Sequence, residues 1–129
     1  MATPTIESVI RALAAVTEPE RPRDGDCLRF EPLITRVLVE AGLPARQIEV
    51  LGWIADSVVF VHRATVVGTP TGQGIVVDFT VGQYRLFTDL PRRWIAPAPD
   101  YCKQLGVATG VLAVMLDSSP GTRGAKQQA

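Results

Sequence analysis

Residues 26–42 read DCLRFEPLITRVLVEAG and combine an amphipathic helical pattern with a stop signal. Apolar residues recur at helical spacing and form one stripe, made of Phe30, Leu33, Ile34, Val37, Leu38 and Ala41. Gly42 suits the left-handed conformation that closes a helix ending near Glu40. The segment therefore predicts a helix that buries its stripe in a core and has Cys27 at its entrance.

The segments on either side predict an α+β domain with N-terminal helices packed on an antiparallel β-sheet. Residues 4–17 carry the pattern of a first amphipathic helix, which Thr3 or Thr5 can cap. Segments rich in Val, Ile, Phe and Trp predict three strands, at residues 47–55, 57–67 and 74–80.

After Thr80 the patterns weaken. We expect Trp94 in a loop, a helical turn at 101–105 and an edge strand at 111–116. Residues 118–129 are rich in Ser, Gly, Lys and Gln and predict a flexible tail. A single domain over residues 1–117 follows.

Composition excludes several classes of protein. The 129 residues are 47% apolar and 20% charged, which fits one globular domain and excludes a wholly disordered chain. Thirteen basic side chains balance thirteen acidic ones without a basic run, so we expect no nucleic-acid partner. Apolar stretches of about ten residues are too short to span a bilayer, so we expect no membrane association.

No basic segment opens the chain and Arg11 interrupts its first apolar stretch, which argues against a signal peptide. Two cysteines do not make a disulfide framework, so a cytoplasmic location is expected.

Cys27, His62 and Asp78 form a candidate catalytic triad, and His62 is the only histidine. A thiol with a free pKa of about 8.5 becomes nucleophilic when an imidazolium or a helix N-terminus favours its thiolate. The imidazole in turn needs a carboxylate to fix its tautomer and orientation. Such a thiolate attacks an amide or acyl carbon, and water or an amine resolves the resulting thioester.

Strand parity allows His62 and Asp78 to meet. If residues 57–67 and 74–80 pair antiparallel with Val66 opposite Gly74, then His62 lies opposite Asp78 on the same face. A slip by one residue would separate the two side chains onto opposite faces.

Four segments resemble the signatures of a known superfamily. Residues 25–30 (GDCLRF) and 41–46 (AGLPAR) resemble the Gly-x-Cys-x-x-Phe and Gly-Ile-Pro-Ala-Arg motifs of transglutaminase-like proteins. Residues 62–66 (HRATV) stand where that family has its histidine strand. Residues 78–84 (DFTVGQY) resemble its Asp-Pro-Thr, and also the Asp-x-Thr-x-x-Gln-Phe of compact papain-like hydrolase and toxin domains. The resemblance covers residues 25–84.

This resemblance implies a papain/transglutaminase-like fold in which the helix carrying the nucleophile packs on an antiparallel sheet. It implies Cys27 as nucleophile, His62 as general base and acid, and Asp78 as the residue that orients His62. The implied activity is a cysteine hydrolase acting on a protein or small-molecule amide, as a deamidase, peptidase or amidase. Acyl transfer to an amine, as in crosslinking or amide synthesis, is an alternative, and a catalytically silent protein-binding relative is another.

Some features depart from this pattern. Pro32 leaves open a helix that starts only at Glu31–Pro32, with Cys27 in a turn. Asp24 and Asp26 flank Cys27 with negative charge. Residues 17–26 contain no Gln to complete an oxyanion hole, which leaves the backbone N–H of Cys27 as the candidate donor.

Purely structural interpretations also remain for these residues: Cys27 as a small buried hydrophobe, His62 as a core histidine and Asp78 as a turn cap. Cys102 is predicted to be structural. Among the remaining residues, Trp94, Tyr101 and Gln83 are candidates to line a substrate cleft. No metal-ligand spacing or cofactor motif is present, so no cofactor is expected.

Overall fold

The computed structural model describes residues 3–19, 23, 25–54, 57–69, 73–81, 90–109 and 112–117. In that part of the chain, three helices and five strands alternate in an α+β order. They are α1 (Ile6–Ala12), α2 (Asp26–Glu40), β1 (Ala45–Ile54), β2 (Ser57–Val67), β3 (Ile75–Asp78), β4 (Trp94–Pro97), α3 (Ala98–Thr109) and β5 (Leu112–Asp117). The strands form one sheet in the order β4-β3-β2-β1-β5, and every neighbouring pair is antiparallel.

Successive strand residues point to opposite faces of the sheet, so each face has side chains that can pack on helices. The sheet lies between two layers of helix. On one face, strand residues pack against α3 in a cluster that includes Ile48, Val50, Ala64, Val66, Val76, Tyr101 and Leu105. On the other face, strand residues pack against α1 and α2 in a cluster that includes Val9, Leu13, Ile34, Leu38, Val67, Ile75 and Val77. The predicted packing of N-terminal helices on an antiparallel sheet is confirmed, and α3 adds a layer on the opposite face.

Helix α2 starts at Asp26, not at Glu31–Pro32, so Cys27 lies in its first turn. Gly25 precedes it at φ +87°. The Asp26 carboxylate accepts a hydrogen bond from the Arg23 backbone N–H at 2.7 Å and forms an ion pair with Arg29. The helix continues through Pro32, whose missing N–H costs one backbone hydrogen bond inside the helix.

Two elements differ from the sequence prediction. Trp94 lies in strand β4 rather than in a loop, and the turn expected at 101–105 is part of the 12-residue helix α3. Strand β4 exists because it pairs with β3, which places Trp94 beside Asp78. That long-range pairing leaves no local signal in a four-residue strand.

Other boundaries shift less. The first helix is Ile6–Ala12, shorter than the predicted 4–17, and Thr5 caps it through a capping box with Ser8. The predicted edge strand is present as β5, next to β1 at the edge of the sheet. The predicted tail, 118–129, lies outside the described residues.

The end of α2 confirms the predicted helix stop. Gly42 has φ +86°, its N–H donates to the Val39 carbonyl at 2.9 Å, and the Leu43 N–H donates to the Leu38 carbonyl at 3.0 Å. This pair of hydrogen bonds is the Schellman motif. A Cβ at Gly42 would meet no atom within 4 Å, so the constraint on this position is the backbone conformation itself.

We therefore expect Gly42→Val to lower the free energy of unfolding by at least ~1 kcal/mol, because a β-branched residue is strained at positive φ. Ala41→Val is the matched control, since Ala41 is exposed and has an ordinary φ of −83°. Denaturant unfolding of both variants measures the difference. Equal stability of the two variants would show that Gly42 has no capping role.

Candidate active site

The register between β2 and β3 decides whether His62 and Asp78 can meet. The strands pair Val66 with Val76 and Thr65 with Val77. The predicted register, with Val66 opposite Gly74, is therefore wrong by two residues. A shift of two preserves the face of every side chain, so His62 and Asp78 still share a face, diagonally rather than directly opposite.

The diagonal placement brings the two side chains into direct contact. His62 Nε2 and Asp78 Oδ2 are 2.9 Å apart, and the residues are only 1% and 0% exposed. The Tyr101 hydroxyl also donates to Asp78 Oδ2, at 2.6 Å, and the Thr80 backbone N–H donates to Asp78 Oδ1 at 3.0 Å. The predicted contact between His62 and Asp78 is thus confirmed, and Asp78 is held from three elements of the chain.

The pair is charged inside the protein. Burial raises the pKa of Asp78, but the opposite charge of His62 and the hydrogen bonds from His62 and Tyr101 outweigh it and lower that pKa. Burial lowers the pKa of His62, but the charge and hydrogen bond of Asp78, together with a hydrogen bond to Cys27, raise it to about 10. An imidazolium–carboxylate pair at neutral pH follows.

Cys27 reaches this pair from the N-terminal turn of α2. Its side chain contributes to the raised pKa of His62, and the two residues line the same cavity. The structure therefore places Cys27 next to the His62–Asp78 pair.

A cavity of about 290 Å³ opens beside the thiol and the imidazole. It is lined by Gly25, Cys27, Leu28, Glu49, Val61, His62 and Arg63. Cys27 itself is 5% exposed, so a reagent reaches the sulfur through this cavity rather than across an open surface.

A second cavity, of about 300 Å³, lies between α1 and the end of α2. The hydroxyl among its lining residues belongs to Ser8, and that hydroxyl already takes part in the capping box of α1. The chemistry of the described residues is therefore concentrated in the cavity beside Cys27.

The negative charge of Asp26, which precedes Cys27, is compensated by Arg29. The hydrogen bond from Arg29, and then that from the Arg23 backbone N–H, lowers the pKa of Asp26, which is ionised but paired. Asp24 lies outside the described residues.

The prediction that Trp94 and Tyr101 line a substrate cleft is wrong. Both are buried, at 3% and 0% exposure, and their ring centroids lie 4.3 Å apart in the core. Neither lines the cavity beside Cys27. Tyr101 instead holds Asp78 in place through its hydroxyl. This role depends on tertiary structure and could not be predicted from a local sequence pattern. Gln83, the third candidate, lies outside the described residues.

Cys102 and Glu31 are two further reactive groups shielded from solvent among the described residues. Cys102 is a half-buried free thiol that packs against the core, and burial raises its pKa. Glu31 was not a candidate in the sequence, although its position four residues after Cys27 places it on the same side of the helix. It is fully buried, and it lies within electrostatic reach of all three triad residues.

Comparison with protein-family models, with curated proteins and with solved structures gives no match. Among the described residues, none of the helices combines the length and the apolar character needed to cross a bilayer.

We predict that the imidazole of His62 stays protonated at neutral pH and titrates near 10. As the only histidine, it gives a single set of ring signals in a nuclear magnetic resonance (NMR) titration. Its folded pKa exceeds the unfolded value of 6.5, so its contribution to stability is complete below 6.5 and is lost as the pH rises through about 10. A ring that titrates at or below 6.5 would contradict the buried ion pair.

Proposed function

We propose that this protein is a cysteine-dependent hydrolase that cleaves a carboxamide or peptide bond through a thioester on Cys27. The observation that carries the proposal is the buried His62–Asp78 pair, whose imidazole lines the same cavity as the Cys27 thiol at the start of a helix. An imidazolium and a helix N-terminus both favour a thiolate, which is the nucleophilic form of cysteine.

The arrangement suits both halves of the reaction. In the first half, Cys27 Sγ attacks the carbonyl carbon, the carbon–nitrogen bond breaks, and the His62 imidazolium gives its proton to the departing amine nitrogen. In the second half, neutral His62 takes a proton from water as the oxygen attacks the thioester carbon. The carbon–sulfur bond then breaks, which releases the acid and restores the thiolate.

Asp78 keeps the imidazole oriented and stabilises its positive form. Tyr101 and Thr80 supply hydrogen bonds that hold the carboxylate in place. For the developing oxyanion, we propose the backbone N–H of Cys27, which belongs to the nucleophile itself in the first turn of α2.

The fold supports a relation to the papain/transglutaminase superfamily that residues 25–84 resemble. A helix carries the cysteine in its first turn and packs on an antiparallel sheet. The histidine and the aspartate come from two neighbouring strands of that sheet. We propose the papain-like fold on this arrangement together with the sequence motifs.

Alkylation separates an enzyme from a silent binding relative. Iodoacetamide at neutral pH should label Cys27 much faster than Cys102, because His62 favours the Cys27 thiolate whereas burial raises the pKa of Cys102. Peptide mapping by mass spectrometry gives both rates in one sample. Equally slow labelling of the two thiols would reject the nucleophile.

Turnover provides the second test. On a panel of peptide and carboxamide substrates, Cys27→Ala should abolish product while Cys102→Ala retains it, and Asp78→Asn should keep a reduced but measurable rate. Product masses with and without added amine separate hydrolysis from acyl transfer. Product formation by Cys27→Ala at the wild-type rate would assign the chemistry to another residue.

A further inference from the structure

The carboxyl group of Glu31 is buried behind the candidate nucleophile. It lies one helical turn after Cys27 and has no exposed surface. Oε1 lies 3.1 Å from the Thr65 hydroxyl, and Oε2 has no hydrogen-bond partner among the described residues. No cation of the described part of the chain forms an ion pair with it. An ionised carboxylate in such surroundings is very costly, and the usual outcome is that the group takes up a proton.

The contacts around Glu31 outnumber the protons that the neighbouring hydroxyls supply. Three of them form a closed circuit: Thr35 Oγ1 to the Glu31 carbonyl at 2.8 Å, Thr35 Oγ1 to Thr65 Oγ1 at 3.0 Å, and Thr65 Oγ1 to Glu31 Oε1 at 3.1 Å. A longer contact joins Thr65 Oγ1 to the Glu31 carbonyl at 3.4 Å. Each contact of the circuit uses one proton, whereas the two threonine hydroxyls bring one each. A proton on Glu31 Oε1 supplies the third, donated to Thr65, while Thr65 donates to Thr35 and Thr35 to the carbonyl.

The charges nearby point the same way. The titratable groups that act on Glu31 are Asp78, His62 and Cys27, and the electrostatic influence of Glu31 extends to Tyr101 on α3. Burial comes first among the causes that raise the pKa of Glu31, followed by the charge of Asp78. The charge of His62 and the hydrogen bond with Thr65 act to lower this pKa, and Cys27 adds to the rise, which prevails. With Asp78 and a Cys27 thiolate both negative, His62 is the one positive charge in this set.

We propose that Glu31 is a positioning residue of the Cys27 site, held as a neutral carboxylic acid so that the buried cluster has room for the charge of the Cys27 thiolate. Ionisation of either group then opposes ionisation of the other, and the opposition is equal in both directions by linkage. The functional part rests on the proposed thiolate chemistry, whereas the protonation state of Glu31 does not.

The test follows the carboxyl carbon of Glu31 by NMR in protein labelled with ¹³C at glutamate. Glu31→Gln assigns the resonance, and Glu40, exposed at the end of the same helix, provides a reference. In the wild type, the Glu31 carbon should keep its acid-form shift through neutral pH. After iodoacetamide caps Cys27 with an uncharged group, or in Cys27→Ala, the titration midpoint should move to lower pH because the thiolate charge is gone.

Two results would overturn the proposal. A Glu31 carbon that is already a carboxylate at neutral pH, with a midpoint near the ordinary value of about 4.3, would remove the neutral acid. A midpoint that ignores the state of Cys27 would remove the link to the nucleophile. Both measurements use wild-type or Cys27→Ala protein, so the proposal remains testable even if Glu31→Gln does not fold and the resonance is assigned by other means.

The reactivity of Cys27 distinguishes a neutral Glu31 from an ionised Glu31. Glu31→Gln keeps the side chain neutral, so the pH midpoint of Cys27 alkylation should match that of the wild type, as it should in the control Glu40→Gln. A midpoint about one pH unit lower in Glu31→Gln would mean that Glu31 is an ionised carboxylate that opposes the thiolate in the wild type, which contradicts the neutral acid. An unreactive Cys27 in the wild type would defeat the proposed hydrolase while leaving the Glu31 titration readable in Cys27→Ala, so the two failures differ.

Discussion

The contact between His62 Nε2 and Asp78 Oδ2 connects the candidate chemistry to the fold. It lies in the interior, where removing one partner of an ion pair leaves an uncompensated charge and commonly costs ~3–5 kcal/mol. The contact requires β2 and β3 to pair in an even register, and it places Asp78 within reach of the Tyr101 hydroxyl from α3. The N-terminal turn of α2 then brings Cys27 to the same imidazole. Sheet register, helix α3 and helix α2 are thus linked through one buried pair.

The contact between His62 and Asp78 explains why buried polar groups are concentrated where the helices pack on the sheet. Each acidic oxygen of Asp78 has a donor, and the charge of His62 is matched by the carboxylate. Glu31 is the exception, because its carboxyl has one hydroxyl partner and no matching cation in the described residues. A proton on Glu31 would remove this imbalance, and it would leave the cluster free to hold the charge of the proposed thiolate. The cluster is therefore organised by charge as much as by distance.

Parity and periodicity made part of this arrangement predictable. A period of two fixed the shared face of His62 and Asp78, and that prediction survived an error of two residues in the register. Helical spacing and Gly42 gave the end of α2, because capping is local chemistry. Strand β4 and the role of Tyr101 could not be predicted, since both depend on partners far away in the chain. The sequence shows that Glu31 follows Cys27 by one helical turn. A lone glutamate on a helix is ordinarily solvated, however, and only the packing of α2 against Thr65 shows that Glu31 is buried.

The proposed chemistry requires Cys27 to be a thiolate beside a protonated His62 at neutral pH. The most direct measurement is the ultraviolet absorbance of the thiolate, recorded across pH as the difference between wild type and Cys27→Ala. We expect a difference signal that is already present at neutral pH and is absent from the same comparison made with Cys102→Ala. A signal that appears only near the free-thiol pKa of about 8.5 would show that the buried pair does not activate the cysteine, and would contradict the proposed nucleophile.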